Sequence, residues 1–166
     1  MILSLSLVIL AIDQATKWWA VAVLEGRGEI RLLGDFLKLN HTTNSGAAFN
    51  IGSNLTIFLT VFAMIVTVAL LIFARKVVEI RWATGFGVLL GGVMGNLGDR
   101  ILREPRFLHG HVVDFIQLPR WPIFNVADIA ITTSGLLIAY LLFKDVQPFA
   151  RFTDDLNSEK DDSDVR

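Results

Sequence analysis

The chain has 166 residues, 53% of them hydrophobic and 19% charged, with 15 Lys and Arg against 16 Asp and Glu. A mean hydropathy of +0.55 is too apolar for an ordinary soluble domain, and a near-neutral charge without a basic stripe speaks against nucleic acid as a partner. The absence of cysteine removes disulfides, thiolate nucleophiles and cysteine-held metals.

A helix needs roughly 20 residues to cross about 30 Å of hydrocarbon. Four stretches are long enough: 2–23, 55–73, 82–102 and 123–143. Asp13 and Lys17 interrupt the first, and Asp99 and Arg100 end the third, so hydropathy favours these two least. Trp18, Trp19, Trp82 and Trp121 fall near the ends of the spans, where an indole keeps one side apolar and one side wet. The first run is not read as a cleavable signal peptide, despite the small residues of Ala20-Val21-Ala22: no Lys or Arg precedes it, and two charges interrupt it.

The segment 25–54 follows. Phe36-Leu37-Lys38-Leu39-Asn40 alternates like a short amphipathic strand. Asn44-Ser45-Gly46-Ala47-Ala48-Phe49 then offers small residues that let another backbone come close. Together they predict a strand-rich platform on the membrane surface. The short connection between the second and third spans carries Arg75, Lys76 and Arg81 and is expected to stay cytoplasmic, which makes both termini cytoplasmic. Residues 147–166 include Asp154, Asp155, Glu159, Asp161, Asp162 and Asp164 and read as a disordered polar tail. With no internal repeat, residues 1–146 form one domain. The expected fold class is an all-α integral membrane protein of four transmembrane helices with a small strand-rich extramembrane platform.

Alternation of the spans brings the end of the first helix, the end of the third and the start of the fourth to one non-cytoplasmic layer. Asp13 and Lys17, four apart, share a helix face, as do Asn96, Asp99 and Arg100, and Asn125 and Asp128. A structural reading pairs Asp13 with Lys17 and Asp99 with Arg100. It leaves out Asp114 and Asp128, which have no Lys or Arg three or four residues away, although Arg100 or Lys17 remains within reach across the bundle. A carboxylate in hydrocarbon costs about 2.5–3.5 kcal/mol, so such a pair has a use. Two carboxylates brought close cannot both ionise comfortably. One keeps a proton while the other draws a proton from water, which is aspartic peptidase chemistry.

Other constellations are weaker. His109-Gly110-His111 has only His41 as a further histidine and reads as a surface loop, so no metal is expected. Ser45 and Ser134 have no base nearby in sequence. Gly95-Asn96-Leu97-Gly98-Asp99 departs from the Gly-x-Gly-Asp pattern of other intramembrane aspartic peptidases at Asn96. Two different functions remain as alternatives: a proton-coupled transporter, which the lack of repeats and of a midplane site disfavours, and a non-catalytic assembly factor whose polar layer binds a partner helix.

Five segments, in order, carry a resemblance. They are Asp13-Gln14-Ala15-Thr16-Lys17, Asn44-Ser45-Gly46-Ala47-Ala48-Phe49, Gly95-Asn96-Leu97-Gly98-Asp99-Arg100, Val112-Val113-Asp114-Phe115 and Phe124-Asn125-Val126-Ala127-Asp128. The chain resembles lipoprotein signal peptidase, or signal peptidase II, up to about Lys144. The resemblance implies a bacterial inner-membrane endopeptidase that cuts diacylglyceryl-modified prolipoproteins on the N-terminal side of the lipidated cysteine. It implies Asp114 and Asp128 as the catalytic dyad, and Asp13, Asn44, Asn96, Arg100 and Asn125 as residues that shape the site or hold substrate. Lys17, Gly46 and Asp99 lie in the same motifs and are placed with them. No cofactor is expected, the partners are prolipoprotein signal peptides and membrane lipids, and the chain is expected to be a monomer. Within this pattern Asn125, one turn before Asp128, is expected to orient its carboxylate, and Asn44 and Arg100 to donate hydrogen bonds to substrate carbonyls. The family has a short surface helix near the site. Here 103–111 is longer, and Pro105 and Gly110 leave its shape open.

Overall fold

The computed structural model describes residues 1–46 and 54–149. The elements run α1 (Ile2–Leu24), β1 (Ile30–Leu33), β2 (Leu37–Asn44), α2 (Asn54–Ala74), α3 (Ile80–Leu102), β3 (Val112–Gln117) and α4 (Val126–Phe143). The four helices are the four expected spans. Three of them, α1, α2 and α4, are long and apolar enough to cross a membrane by composition alone.

The fourth, α3, packs against each of the other three helices. Its glycines explain both its lower hydropathy and its central place. A Cβ on Gly91 would meet the Ser6 carbonyl oxygen at 2.8 Å, and one on Gly92 would meet the Ala127 carbonyl oxygen at 2.7 Å. Small residues thus let α1 approach one side of α3 and α4 another, as in close-packed membrane helices. The lipid-facing surface is left to side chains such as Leu7, Phe62, Ile65 and Leu136.

Two helix starts differ from expectation. Residues 123–125 are not helical: Phe124 pairs with β3, accepting from the Ile116 N–H at 2.8 Å and donating to the Ile116 carbonyl at 3.0 Å. The fourth helix therefore begins at Val126, and Asn125 is its N-cap. α3 begins two residues early because the Glu79 carboxylate accepts from the Arg81 and Trp82 backbone N–H groups, at 2.7 and 3.0 Å.

The expected platform is a three-stranded antiparallel sheet in the order β1-β2-β3. Its third strand comes from the connection between α3 and α4. β2 pairs with β3 as Leu39 with Ile116 and Thr42 with Asp114, so a bulge gives β2 one extra residue between these pairs. One sheet face packs Val113 and Phe115 against Ala20 and Leu24 of α1. The sheet is thereby fixed to the end of α1 beside exposed Trp18 and Trp19.

Trp82 lies in the first turn of α3, near the end of its span, but is packed inside the protein. It is only 4% exposed, against 66% for Trp121, and its indole N–H donates to the Val146 carbonyl at 2.8 Å. Nearby, the Val78 N–H donates to the Pro148 carbonyl at 3.1 Å. Residues 146–149 thus fold over the start of α3. Of the expected tail, residues from 150 onward lie outside the described residues, as do Ala47, Ala48 and Phe49.

The 103–111 connection is a compact loop that caps α3. The Gly110 N–H donates to the Arg100 carbonyl at 2.9 Å, and His111 donates to the Glu104 carbonyl at 3.0 Å. Gly110 sits against the carbonyls of Asp99, Arg100 and Arg103, with no room for a Cβ. From α2, the Thr60 hydroxyl donates to the Leu108 carbonyl at 3.1 Å.

Candidate active site

Asp114 projects from β3 and Asp128 from the first turn of α4, and the Asn125 side chain lies between them. Its amide nitrogen donates to Asp114 Oδ1 at 2.5 Å, while its Oδ1 accepts from the Asp128 backbone N–H at 3.0 Å. In return Asp128 Oδ2 accepts from the Asn125 backbone N–H at 3.1 Å, completing a reciprocal cap. The other two carboxylate oxygens are also met. Asn44 Nδ2 donates to Asp114 Oδ2 at 3.1 Å, and Asn96 Nδ2 donates to Asp128 Oδ1 at 2.8 Å. Three asparagines from a strand end, a helix and a cap thus hold two acids in fixed orientations.

Two expectations change in detail. Asn125 does act on Asp128, but as the cap, and the same amide also reaches Asp114. Asn44 is turned toward Asp114, to which Nδ2 gives one of its two N–H donors; its Oδ1 accepts from the Gly46 N–H at 2.7 Å. Gly46 has φ +86°, a region that favours glycine, and it lies against Leu59 and the Arg100 guanidinium. Arg100 Nη1 points toward the Ser45 carbonyl at 3.5 Å.

Among the described residues no Lys or Arg nitrogen comes within 4.0 Å of either Asp114 or Asp128. Asp114 is 2% exposed, whereas Asp128 is half-buried. Burial pushes the Asp114 carboxyl up to about 6; the Asn125 and Asn44 amides oppose the rise and the Asp128 charge adds to it. Asp114 therefore keeps its proton over a range, up to about 6, where an ordinary aspartate carboxyl has lost it.

Behind the pair lies a buried ion cluster. Lys17 Nζ contacts Asp13 Oδ2, Asp99 Oδ2 and Asn96 Oδ1, each at 2.9 Å, which satisfies all three of its protons. Asp99 pairs further with Arg103 at 2.8 Å. The expected Asp99 to Arg100 pair is therefore replaced. Successive helix residues point about 100° apart, so the residue four along shares the face of Asp99 and its neighbour does not.

The cluster also grips the two elements that carry the acids. Asp13 Oδ1 accepts from the Ala127 N–H at 2.8 Å, one residue before Asp128, and Asp99 Oδ2 accepts from the Val113 N–H at 3.2 Å, one residue before Asp114. Gln14 Nε2 joins them by donating to the Gly95 carbonyl at 3.1 Å. Gln14, Gly95 and Arg103 had no place in the sequence reading as separate contributors. The i, i+4 spacing of Asp99 and Arg103 was the available signal.

The histidines lie elsewhere. His109 is 3.2 Å from Arg106 Nη2 through Nε2 and 3.2 Å from the Phe107 carbonyl through Nδ1. Among the described residues no three His, Asp or Glu side chains are grouped to hold a metal.

Residues 5–144 match the family described as signal peptidase (SPase) II. A lipoprotein signal peptidase of Streptomyces griseus is 42% identical over 147 residues, covering 89% of this chain and 75% of the relative. One from Streptomyces coelicolor is 43% identical over 82% of this chain and 67% of its own length, and one from Mycobacterium bovis is 41% identical over 85% and 70%. A solved structure described as a bacterial membrane enzyme, obtained by the in meso method, superposes with a TM-score of 0.77 at 28% identity, covering 87% of this chain and 94% of its own.

Fold, site and likeness together define a membrane-embedded peptidase of the aspartic class. Its helical bundle, strand platform and paired acids are parts of one design. The chain belongs to the signal peptidase II family.

Proposed function

We propose that this peptidase removes the signal peptide from diacylglyceryl-modified prolipoproteins, cutting on the N-terminal side of the lipidated cysteine with water activated between Asp114 and Asp128. The observation that carries the reading is the Asn125 amide, which joins two acids that no Lys or Arg among the described residues contacts. The relatives' common description as lipoprotein signal peptidases supports the substrate class.

The pair shares one proton. The ionised carboxylate takes a proton from water as its oxygen attacks the scissile carbonyl carbon, and the protonated one gives its proton to the carbonyl oxygen. A gem-diol results. In its collapse one hydroxyl returns a proton to the second carboxyl, the first passes its proton to the amide nitrogen, and the C–N bond breaks. Each carboxyl ends as it began. Asn44, Asn96 and Asn125 hold the acids, Asp13, Lys17 and Asp99 frame them, and Arg100 and Gly46 lie where an extended substrate backbone needs donors and space.

The basic connection Arg75, Lys76 and Arg81 supports a bacterial inner-membrane protein with both termini cytoplasmic and the dyad toward the other face. The acyl chains of the substrate then stay in the bilayer while the scissile bond sits at its surface. Residues 1–146 are the catalytic domain, acting as a monomer without a cofactor.

Purified protein in detergent, incubated with a diacylated precursor peptide, should release two fragments by mass spectrometry, while Asp128→Asn should release none. An inert wild type would refute the substrate, and a fully active Asp128→Asn would refute the dyad.

A further inference from the structure

At the end of the bundle away from the dyad, α2 packs on α3 and leaves a gap against α1. Two crevices flank its last turn. One, about 570 Å³, runs between α1 and α2 with Ile2, Leu3, Ala74 and Val77 in its walls. The other, about 400 Å³, opens on the far side of the same turn beside Val68 and Ile72. Leu71 and Arg75 belong to both, and Lys76 stands at the mouth of the second.

The two cations have no carboxylate within 4.0 Å among the described residues, whereas Arg81 on the same connection is paired with Glu79 at 2.6 Å. Exposed Arg75 and Lys76 also end a helix whose carbonyl dipole would repel an anion. An anion here is therefore held by these two side chains. Apolar crevices on both sides of a cationic point match a molecule with one phosphate and two hydrocarbon chains. Basic pockets between transmembrane helices commonly take such headgroups.

We propose that this end of α2 is a binding site for one net-anionic glycerophospholipid, with its phosphate on Arg75 and Lys76 and one acyl chain in each crevice. Its role is structural. It fills the α1–α2 gap and holds α2, which reaches the active-site end through Thr56, donating to the Ser45 carbonyl at 2.6 Å, and through Thr60.

The test is native mass spectrometry of the full chain delipidated in detergent and titrated with phosphatidylglycerol or phosphatidylcholine of matched acyl chains. Wild type should keep one phosphatidylglycerol at a concentration about thirtyfold below that needed for phosphatidylcholine, from two cations near a headgroup. Arg75→Ala with Lys76→Ala should remove that preference, and Arg81→Ala should keep it. The same lipid should raise the thermal midpoint of wild type and leave that of the double variant unchanged. Equal retention of both lipids would mean an ordinary annulus and overturn the site. Equal loss in Arg81→Ala would mean bulk attraction and overturn it as well. If only a chain ending at residue 149 retained phosphatidylglycerol, the acidic segment beyond it would be the occupant, and the proposal would fail.

Discussion

At the scale of single residues, the asparagines tune as well as orient. Their amides favour the ionised form of Asp114, and the Asp128 charge disfavours it. Asn44→Ala should therefore raise the Asp114 titration above about 6, and Asp128→Asn should lower it, both read from the carboxyl carbon of a labelled sample by NMR. A shift in the opposite direction in either variant would contradict the hydrogen-bond assignment. Lys17 is a sharper case. Buried with no exposed surface and touching three oxygens, it leaves Asp13 without a cation when removed, while Asp99 keeps Arg103. Lys17→Met should cost about 3–5 kcal/mol of stability in denaturant unfolding. The pairing of Asp13 with Lys17 was legible from their spacing. The third partner, Asn96, was placed only in a shared layer, because which amide faces which ammonium depends on how α1 rotates against α3.

Among elements, the apolar runs announced the helices and the glycines of α3 explain how they meet. Gly95 shows how tight that meeting is. A Cβ there would lie 2.5 Å from Asp13 Oδ2 and 3.3 Å from the Ala127 Cβ. Gly95→Ala should destabilise by about 1–3 kcal/mol and lower kcat, since the displaced Asp13 releases the first turn of α4. An alanine variant with unchanged stability and rate would show that the helices separate freely. The strands were harder to read. Leu37–Asn44 alternates and was half visible, whereas Val112–Gln117 is a short apolar run that periodicity alone does not assign, and its partner lies about 70 positions away. The start of α4 was misplaced for a related reason. Ile123 and Phe124 look like helix interior until β3 claims the backbone of Phe124.

For the whole molecule, charge balance and distant covering matter most. Asp13, Asp99, Lys17 and Arg103 form a neutral group, so the dyad and Arg100 set the balance at this end. Because Asp114 has risen from 3.8 to about 6, the folded chain holds a proton that the unfolded chain has released. Stability from this group is present in full below about 4 and is lost as pH climbs through about 6. The thermal midpoint of wild type should fall over that window, and Asp114→Asn should flatten the fall. A steeper fall in the variant would reverse the sign and the assignment. The burial of Trp82 belongs to this scale too. Its indole N–H is met by Val146, over sixty positions on, so no local pattern could reveal it. Trp82→Phe should cost about 1 kcal/mol by removing one buried hydrogen bond, measured by thermal unfolding.

The extra residue between Leu39 and Thr42 sets a parity rule for the chain. Side chains on a strand change sides at every step, so if the same residues paired regularly from Leu39 with no bulge, Thr43 would take the side facing Asp114 and Asn44 would turn toward α1. A single deletion at Asn40 or His41 would only remove the bulge and leave Thr42, Thr43 and Asn44 opposite their present partners, whereas deleting Thr43 would turn Asn44 to the other side, and the enzyme would lose its tuning with every functional side chain still present in the gene.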